Sequence, residues 1–272
     1  MTMNKVALVT GASSGIGKET ARLLVQNGYT VYGAARRLEK MADLENEGVK
    51  LIAMDVTDEA SMVSGVNEIL QTENRIDLLV NNAGYGSFGA LEDVPLSEAK
   101  YQFEVNIFGL ARLTQLVLPT MRAQHSGRII NISSIGGSLG EPHGAWYHAT
   151  KYALEGLSDS LRMELKQFGI DVVIIKPGAI ITEWGSIASD NLLKVSGNTA
   201  YKTLAHKHVK MFERTYKMGS QPMVVAKTIV KAAMATRPKT RYATGGGAKI
   251  ILFMRKILSD RMFDKMFLSM MK

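Results

Sequence analysis

Short apolar runs alternate with helix-length segments through most of the chain, and this alternation restricts the fold more than any other feature. Six runs rich in Val, Ile or Leu indicate strands, at residues 6–10, 30–35, 50–54, 76–81, 127–133 and 170–177, with a seventh at 240–244. Runs without polar alternation are typical of strands buried on both faces of a parallel sheet. Helical patterns at residues 16–27, 58–72, 99–124 and 147–168 separate them. These repeated βαβ units predict an α/β fold with a doubly wound parallel sheet, formed as a single domain by residues 1–272.

The composition excludes several classes of protein. The 272 residues are 46% hydrophobic, enough for one sizeable core. Cysteine is absent, so disulfides, thiol catalysis and zinc–thiolate sites are excluded. The N-terminal MTMNKVALVTG enters the first strand without a signal-peptide apolar region, and no apolar run approaches the roughly 20 residues of a spanning helix. We therefore expect a cytoplasmic protein.

A glycine-rich turn, TGASSGIG at residues 10–17, joins the first strand to the first helix. Glycines at this junction permit a tight turn and let the backbone approach a pyrophosphate, which then rests on the helix N-terminus. The turn therefore predicts nucleotide binding on a Rossmann-type fold. The cofactor-binding candidates in it are Gly11, Ser13, Ser14, Gly15, Ile16 and Gly17.

The spacing G-x-x-x-G-x-G and the motifs that follow resemble the short-chain dehydrogenase/reductase family. In the family's order, the chain carries Asp55-Val56, NNAG at 81–84, Asn106, NISS at 131–134, YHATK at 147–151 and PGAIIT at 177–182. The resemblance extends from about residue 5 to residue 182, with looser similarity beyond. It implies hydride transfer between an alcohol or carbonyl compound and a nicotinamide cofactor. It also implies a homodimer or homotetramer, paired through the long helices that carry Asn106 and Tyr147.

Four residues are the candidates for catalysis. Tyr147 is the predicted acid/base, although a free phenol titrates near pKa 10. Lys151 lies one turn further along the same helix face, where a cation favours the phenolate. Ser134 ends the fifth strand and can donate to the substrate oxygen. The resemblance adds Asn106, which would bend its helix and help to hold a water that links the lysine to solvent.

The end of the second strand predicts NADP(H) as the cofactor. Where the family's NAD-selecting acid would fall, this chain has Ala35, followed by Arg36 and Arg37. A guanidinium can pair with the 2′-phosphate that a carboxylate would repel, and Arg36 is the better candidate. The resemblance places further cofactor contacts along the chain. They are Asp55 and Val56 at the adenine, Asn81, Asn82, Ala83 and Gly84 beside its ribose, Tyr147 and Lys151, and Pro177, Gly178, Ile180 and Thr182 towards the nicotinamide.

The substrate is less well defined by the sequence. In the family, the segment after PGAIIT closes the pocket, so residues 183–218 are the predicted substrate-loop region. Several apolar residues there and before Tyr147 indicate a small apolar ketone, aldehyde or secondary alcohol as substrate; these are Trp146, Trp184, Ile187, Leu192 and Leu193. The same residues are equally typical of core or oligomer contacts. The histidines lack the spacing of a metal site, and we expect no bound metal.

The C-terminal third is basic. Of the charged residues from Tyr201 to Lys272, 16 are Lys or Arg and 3 are Asp or Glu, whereas the whole chain has a net charge of +8. Residues 245–272 show the pattern of basic amphipathic helices. Their apolar faces can pack on the body or on a second subunit, or can make weak peripheral contact with an anionic membrane. Nucleic-acid binding is not expected, because aromatic residues are not interleaved with the basic ones.

Two functions are compatible with these motifs. The first is an NADP(H)-dependent oxidoreductase that interconverts an apolar secondary alcohol and its ketone, or an alcohol and an aldehyde. The alternative is a non-catalytic NADP(H)-binding sensor or regulator on the same fold. The joint presence of Ser134 and Tyr147 favours the enzyme, since a sensor needs neither.

Overall fold

Parallel strands form the centre of the molecule. The structure is a computed structural model that describes residues 4–271. Within that range the sheet has seven strands in the order β3-β2-β1-β4-β5-β6-β7, and every neighbouring pair is parallel. The strands are β1 (Val6–Thr10), β2 (Thr30–Ala35), β3 (Lys50–Ala53), β4 (Leu78–Asn81), β5 (Gly127–Ile132), β6 (Ile170–Pro177) and β7 (Arg241–Thr244). This topology confirms the prediction of a single Rossmann-type domain with a doubly wound sheet.

Helices cover both faces of the sheet. They are α1 (Gly15–Gln26), α2 (Ala42–Asn46), α3 (Glu59–Glu73), α4 (Leu96–Phe103), α5 (Leu110–Ala123), α6 (Ala145–Leu165), α7 (Glu183–Ser196), α8 (Lys202–Lys217), α9 (Pro222–Met234), α10 (Ala248–Ile257) and α11 (Asp260–Met270). Residues 183–218, the predicted substrate-loop region, are therefore mostly the two helices α7 and α8.

The apolar strands are explained by burial on two sides. Alternate residues such as Val9 and Val80 pack in one core cluster with side chains of α1 and α9. Their neighbours Leu8 and Leu79 pack in a second cluster with side chains of α3 and α5. Because both faces are covered, neither set of alternate positions is polar, and the strands are continuous apolar runs.

One predicted helix differs from a regular one. Instead of continuing from residue 99 to 124, the helix widens into a π-helical turn at Glu104–Gly109, between α4 and α5. Gly109 permits this path, because a Cβ there would lie 2.0 Å from the Val56 carbonyl oxygen. Wide turns of this kind are common at functional sites, and this one contains Asn106.

The sequence left open whether the apolar faces of the C-terminal helices pack on the body or are exposed, and the structure shows one example of each. On α11, Phe267 packs against the apolar cluster formed with α7 and α8. On α10, Ile250 and Phe253 are 70% and 60% exposed. Within residues 4–271, no helix combines the length and the apolar character needed to cross a bilayer.

Candidate active site

A cavity of about 670 Å³ lies at the carboxyl ends of the strands. It opens where β1 has β2 on one side and β4 on the other, which is the crevice where doubly wound sheets bind ligands. Nearly all the predicted site residues line it. The exceptions within the catalytic and cofactor-binding sets are Gly17, Asn81 and Asn106.

The glycine turn fits a pyrophosphate. Gly11 and Gly15 have φ values of +66° and +52°, in the left-handed region that favours glycine. Helix α1 begins at Gly15, its first turn contains no acidic residue, and the Ser14 side chain makes no capping hydrogen bond. No acidic side chain of the first turn therefore neutralises the positive end of the helix dipole at the cavity wall, and this end can bind an anionic ligand.

Gly17 packs closely against the glycine turn and leaves no room for a side chain. A Cβ at Gly17 would lie 2.3 Å from the Gly11 carbonyl oxygen and 2.4 Å from Asn82 Nδ2. Asn82 Nδ2 donates to the carbonyl oxygens of Thr10 (3.0 Å) and Gly11 (3.3 Å). The Thr10 hydroxyl in turn accepts from the backbone N–H groups of Asn82 and Ala83, both at 3.0 Å. Thr10 is thus a site residue that sequence reasoning missed, because it appears as the last residue of a buried strand.

Asn81 is a correction to the predicted set. It is the last residue of β4 and pairs with Asn131 of β5, so its side chain is enclosed between the sheet and α5. There Nδ2 donates to Asn131 Oδ1 at 2.9 Å and to Thr114 Oγ1 at 3.2 Å. Asn81 therefore stabilises the packing of β4 against β5 and α5, and Asn82 is the residue that lines the cavity.

The loop after β2 presents two guanidinium groups to the cavity. Arg36 and Arg37 both line it, and Ala35, at the position of the missing acid, is buried. The Arg36 side chain is 63% exposed and donates to the Tyr101 hydroxyl at 3.2 Å, with Asp55 at 4.0 Å. An exposed guanidinium held at the cavity edge fits a ribose 2′-phosphate.

Ser134, Tyr147 and Lys151 meet in the same cavity. The Ser134 hydroxyl accepts from the Gly136 N–H at 3.0 Å, which leaves its own proton free to donate. Burial raises the pKa of Tyr147 to about 12, and the nearby Ser134 hydroxyl opposes this effect. Lys151 Nζ donates to the Ile132 carbonyl oxygen at 3.0 Å, and burial lowers the pKa of this amine to about 8.

Asn106 supports the cavity from outside its wall. Its Oδ1 accepts from the Tyr85 N–H, and its Nδ2 donates to the Tyr85 carbonyl oxygen, both at 2.8 Å. Nδ2 also donates to Thr150 Oγ1 at 3.1 Å, which ties the π-helical turn to α6. Its predicted part in holding a water stays a prediction.

The substrate side of the cavity is largely apolar. Trp184 and Ile187 line it as predicted. Leu192 and Trp146 do not: Leu192 is fully buried in the core, and the ring centroid of Trp146 lies 6.4 Å from that of Phe103. Further apolar wall residues come from the segment before α6 and from α8, namely Leu139, Met211, Phe212 and Tyr216. Glu141 also lines this wall, and its proximity was not apparent from the sequence.

Comparisons with known proteins agree on one family. The family model described as short chain dehydrogenase matches residues 5–192. A 3-ketodihydrosphingosine reductase from Bacteroides thetaiotaomicron is 36% identical over 263 residues, which are 96% of this chain and 95% of that protein. An NADPH-dependent 3-dehydrocapnine reductase from Ornithobacterium rhinotracheale is 32% identical over 278 residues, with 97% and 96% covered. The crystal structure of a short-chain dehydrogenase from Streptomyces avermitilis has a TM-score of 0.80 at 36% identity, with 93% and 92% covered. The chain therefore belongs to the short-chain dehydrogenase/reductase family and is an oxidoreductase.

Proposed function

We propose that this oxidoreductase uses NADP(H) to interconvert an apolar secondary alcohol and its ketone, or an alcohol and an aldehyde. The observation that carries the proposal is the free hydroxyl proton of Ser134 beside the buried Tyr147, in a cavity that also contains the glycine turn. The two relatives described above are both reductases, which supports reduction of a carbonyl group.

The protein's own groups would handle the substrate oxygen, while the nicotinamide cofactor, when bound, supplies the hydride. The Ser134 hydroxyl donates a hydrogen bond to the carbonyl oxygen and holds it near Tyr147. The Tyr147 phenol then gives its proton to the oxygen as negative charge develops there. Lys151, anchored on the Ile132 carbonyl oxygen, keeps a positive charge close to this proton donor.

Oxidation of NADPH by the purified protein, with a panel of apolar ketones and aldehydes and with NADH run alongside, tests the proposal. We expect turnover with NADPH on at least one apolar ketone or aldehyde and much slower turnover with NADH. Tight NADPH binding without turnover on any member of a broad panel would instead favour the alternative, a sensor or regulator.

The cofactor preference gives a prediction for Arg36. We expect Arg36→Ala to weaken NADPH binding about 10- to 100-fold, because a charge-assisted pair with the 2′-phosphate is lost, and to leave NADH binding unchanged. Titration of both cofactors by protein fluorescence measures the effect. Arg37→Ala is the matched control, with a smaller expected loss. Equal losses for NADPH and NADH in Arg36→Ala would show that this side chain does not select the phosphate.

The direction of the pKa shift at Tyr147 gives a pH prediction. Because burial raises the pKa of the phenol to about 12, it retains its proton at neutral pH and is ready to act as an acid. We expect kcat/KM for ketone reduction to be nearly flat from about pH 6 to 7, while alcohol oxidation rises towards tenfold per pH unit. In this range Lys151, with a pKa of about 8, largely keeps its charge. Oxidation that does not change with pH would contradict this assignment.

A homodimer or homotetramer stays part of the proposal. Phe108 in the π-helical turn and Met163 on α6 are 56% and 68% exposed, and both lie on the long helices through which pairing is expected. These side chains would become covered if the long helices pair as expected. Light scattering on the purified protein will give the number of subunits.

Weak contact of the C-terminal helices with an anionic membrane is also proposed. The exposed Ile250 and Phe253 on α10 lie beside exposed basic residues such as Lys249 and Lys256. We expect the protein to co-sediment with phosphatidylglycerol vesicles but not with phosphatidylcholine vesicles, and a variant carrying both Ile250→Ser and Phe253→Ser to stay in solution. Met234→Ser, which changes an apolar residue on α9 that is 55% exposed, is the control. A wild-type protein that does not pellet with anionic vesicles would refute the contact.

A further inference from the structure

A buried histidine connects the two candidate catalytic groups that handle the substrate oxygen. His148 directly follows Tyr147 on α6, is only 6% exposed and lines the cavity. Successive side chains of a helix point about 100° apart, so the imidazole does not lie parallel to the phenol. It faces the turn at residues 134–137, which begins with Ser134.

The imidazole holds this turn by a hydrogen bond. His148 Nδ1 lies 2.9 Å from the Gly136 carbonyl oxygen. Because a carbonyl oxygen can only accept, Nδ1 carries the proton and donates it. The N–H of the same residue, Gly136, donates to Ser134 Oγ at 3.0 Å. His148 therefore acts on the Ser134 hydroxyl through one residue.

The ring of His148 is enclosed by glycine backbone on two sides. A Cβ at Gly136 would lie 3.0 Å from His148 Nδ1 and 3.2 Å from Tyr147 Cε1, and a Cβ at Gly144 would lie 2.7 Å from His148 Nε2. These contacts bring the turn directly against α6 and leave the imidazole little freedom to rotate. The hydrogen bond to Gly136 is thus set by packing as well as by its own geometry.

The other nitrogen of the ring determines where the proton lies. His148 Nε2 accepts from the Glu141 backbone N–H at 3.2 Å, and Glu141 Oε1 lies 3.6 Å away. In the neutral ring the proton is therefore on Nδ1. Although burial opposes it, the carboxylate raises the pKa of His148, and a second proton would be added at Nε2, facing that carboxylate. In both states Nδ1 keeps the proton that it donates to Gly136.

The carboxylate of Glu141 is compensated by two imidazoles. His208 Nε2 lies 3.7 Å from its second oxygen, Oε2. Although burial opposes it, His148 and His208 lower the pKa of Glu141 to about 2. The carboxylate is therefore a stable part of the protein's interior, and it faces the side of the His148 ring that is turned away from Ser134.

We infer that His148 is a positioning residue, which holds Gly136 so that the Ser134 hydroxyl presents its proton to the substrate oxygen beside Tyr147. This inference rests on the proposed function. Ser134 contributes only where its hydroxyl lies in the correct place, and a displacement of about 1 Å can lower a rate about 100-fold. Glu141 contributes indirectly, by keeping the donated proton of His148 on Nδ1.

Two variants each keep one side of the imidazole. The amide nitrogen of asparagine takes the place of Nδ1, and that of glutamine takes the place of Nε2. We expect His148→Gln to lower kcat for ketone reduction about 10- to 100-fold, since Ser134 is displaced, with NADPH affinity unchanged. His148→Asn should stay within about threefold of the wild-type kcat, since the donor to Gly136 is retained. His206→Gln, an exposed change on α8 that does not line the cavity, is the control and should have the wild-type rate.

A double-mutant cycle shows whether His148 acts through Ser134. In a Ser134→Ala background the hydroxyl to be positioned is gone, so His148→Gln should cause no further loss of kcat. The same fold loss in both backgrounds would overturn the inference, because His148 would then act independently of Ser134. A His148→Asn variant as slow as His148→Gln would also overturn it.

Exchange of backbone amides with solvent, followed by NMR, gives a readout that needs no turnover. We expect the Gly136 amide to exchange at least about tenfold faster in His148→Gln than in the wild-type protein or in His148→Asn, because the turn opens more readily. The Ser133 N–H, which donates to the Ile175 carbonyl oxygen at 2.9 Å in the sheet, should keep its wild-type rate.

The exchange rates also separate the inference from the proposed function. An unchanged Gly136 rate in His148→Gln would overturn the inference, and so would equal acceleration at Gly136 and Ser133, which would indicate a general loss of stability. If the wild-type protein reduces no ketone or aldehyde, the proposed function fails, and the exchange rates still decide whether His148 holds the turn.

Discussion

Tyr147→Phe is expected to lower kcat for ketone reduction about 100- to 10,000-fold, the usual contribution of a positioned acid or base. The change removes only the hydroxyl. The ring keeps its contacts with Phe88 and Trp184, at centroid distances of 5.6 and 5.1 Å, so the fold and the cavity wall should be preserved. NADPH affinity should therefore stay close to the wild-type value, and the loss should appear in single-turnover rates.

A matched control is available on the same helix. Tyr152→Phe removes a hydroxyl from a half-exposed ring on α6 that does not line the cavity, and we expect it to retain full activity. If Tyr147→Phe kept more than about a tenth of the wild-type kcat, a loss below the range for a general acid, Tyr147 would not be the proton donor.

Glu155→Gln is expected to lower the free energy of unfolding by about 3 kcal/mol, the cost of leaving a buried charge without its partner. Glu155 and Lys176 are 11% and 6% exposed, and Oε1 lies 3.1 Å from Nζ. The same carboxylate accepts from Ser133 Oγ at 2.8 Å and from Arg241 Nε at 2.9 Å. It thereby joins α6 to the carboxyl ends of β5 and β6 and to the start of β7, and the neutral amide cannot balance the ammonium of Lys176.

Urea unfolding compares this variant with Glu59→Gln. Glu59 forms a 2.6 Å pair with Arg112 between α3 and α5, but the two side chains are 57% and 41% exposed. An exposed pair of this kind contributes about 0–1 kcal/mol. Similar losses in the two variants would mean that burial of the Glu155 pair adds nothing to its effect.

Much of the fold could be predicted from the sequence because the parallel strands are covered on both faces. Burial on both sides makes each strand an apolar run, and the glycine turn marks the edge at which ligands bind. The resemblance implied a bend at Asn106, but the residues alone did not predict the π-helical turn, because it depends on the close approach of Gly109 to the Val56 carbonyl oxygen in a distant part of the chain. The helical pattern on both sides of the turn continues through it and hides the break.

The short motifs identified most of the residues that line the cavity, whereas residues that come together from distant parts of the chain were not identified. The contrast between Asn81 and Asn82, both of which were predicted as cofactor contacts, shows how strongly the position of a side chain depends on where a strand ends. Asn81 is the last residue of β4, and its side chain faces the core. Asn82 is the next residue, and its side chain donates a hydrogen bond to the start of the glycine turn. Glu141 and His208 are 67 positions apart in the sequence, and no local pattern could show that Oε2 of the first lies 3.7 Å from Nε2 of the second.

The strand order also has a consequence for how the chain assembles. Every strand after β1 pairs with a strand made earlier, first outward through β2 and β3, then outward on the other side through β4 to β7. The sheet can therefore grow at its edges in the order of synthesis, without waiting for a later strand to insert in the middle. The strands at the nucleotide end of the crevice, β1, β2 and β4, are all synthesised before Tyr147, whereas α9, which packs against α1, is synthesised after it. The helix that follows the glycine turn is therefore fully covered only when nearly the whole chain has been made.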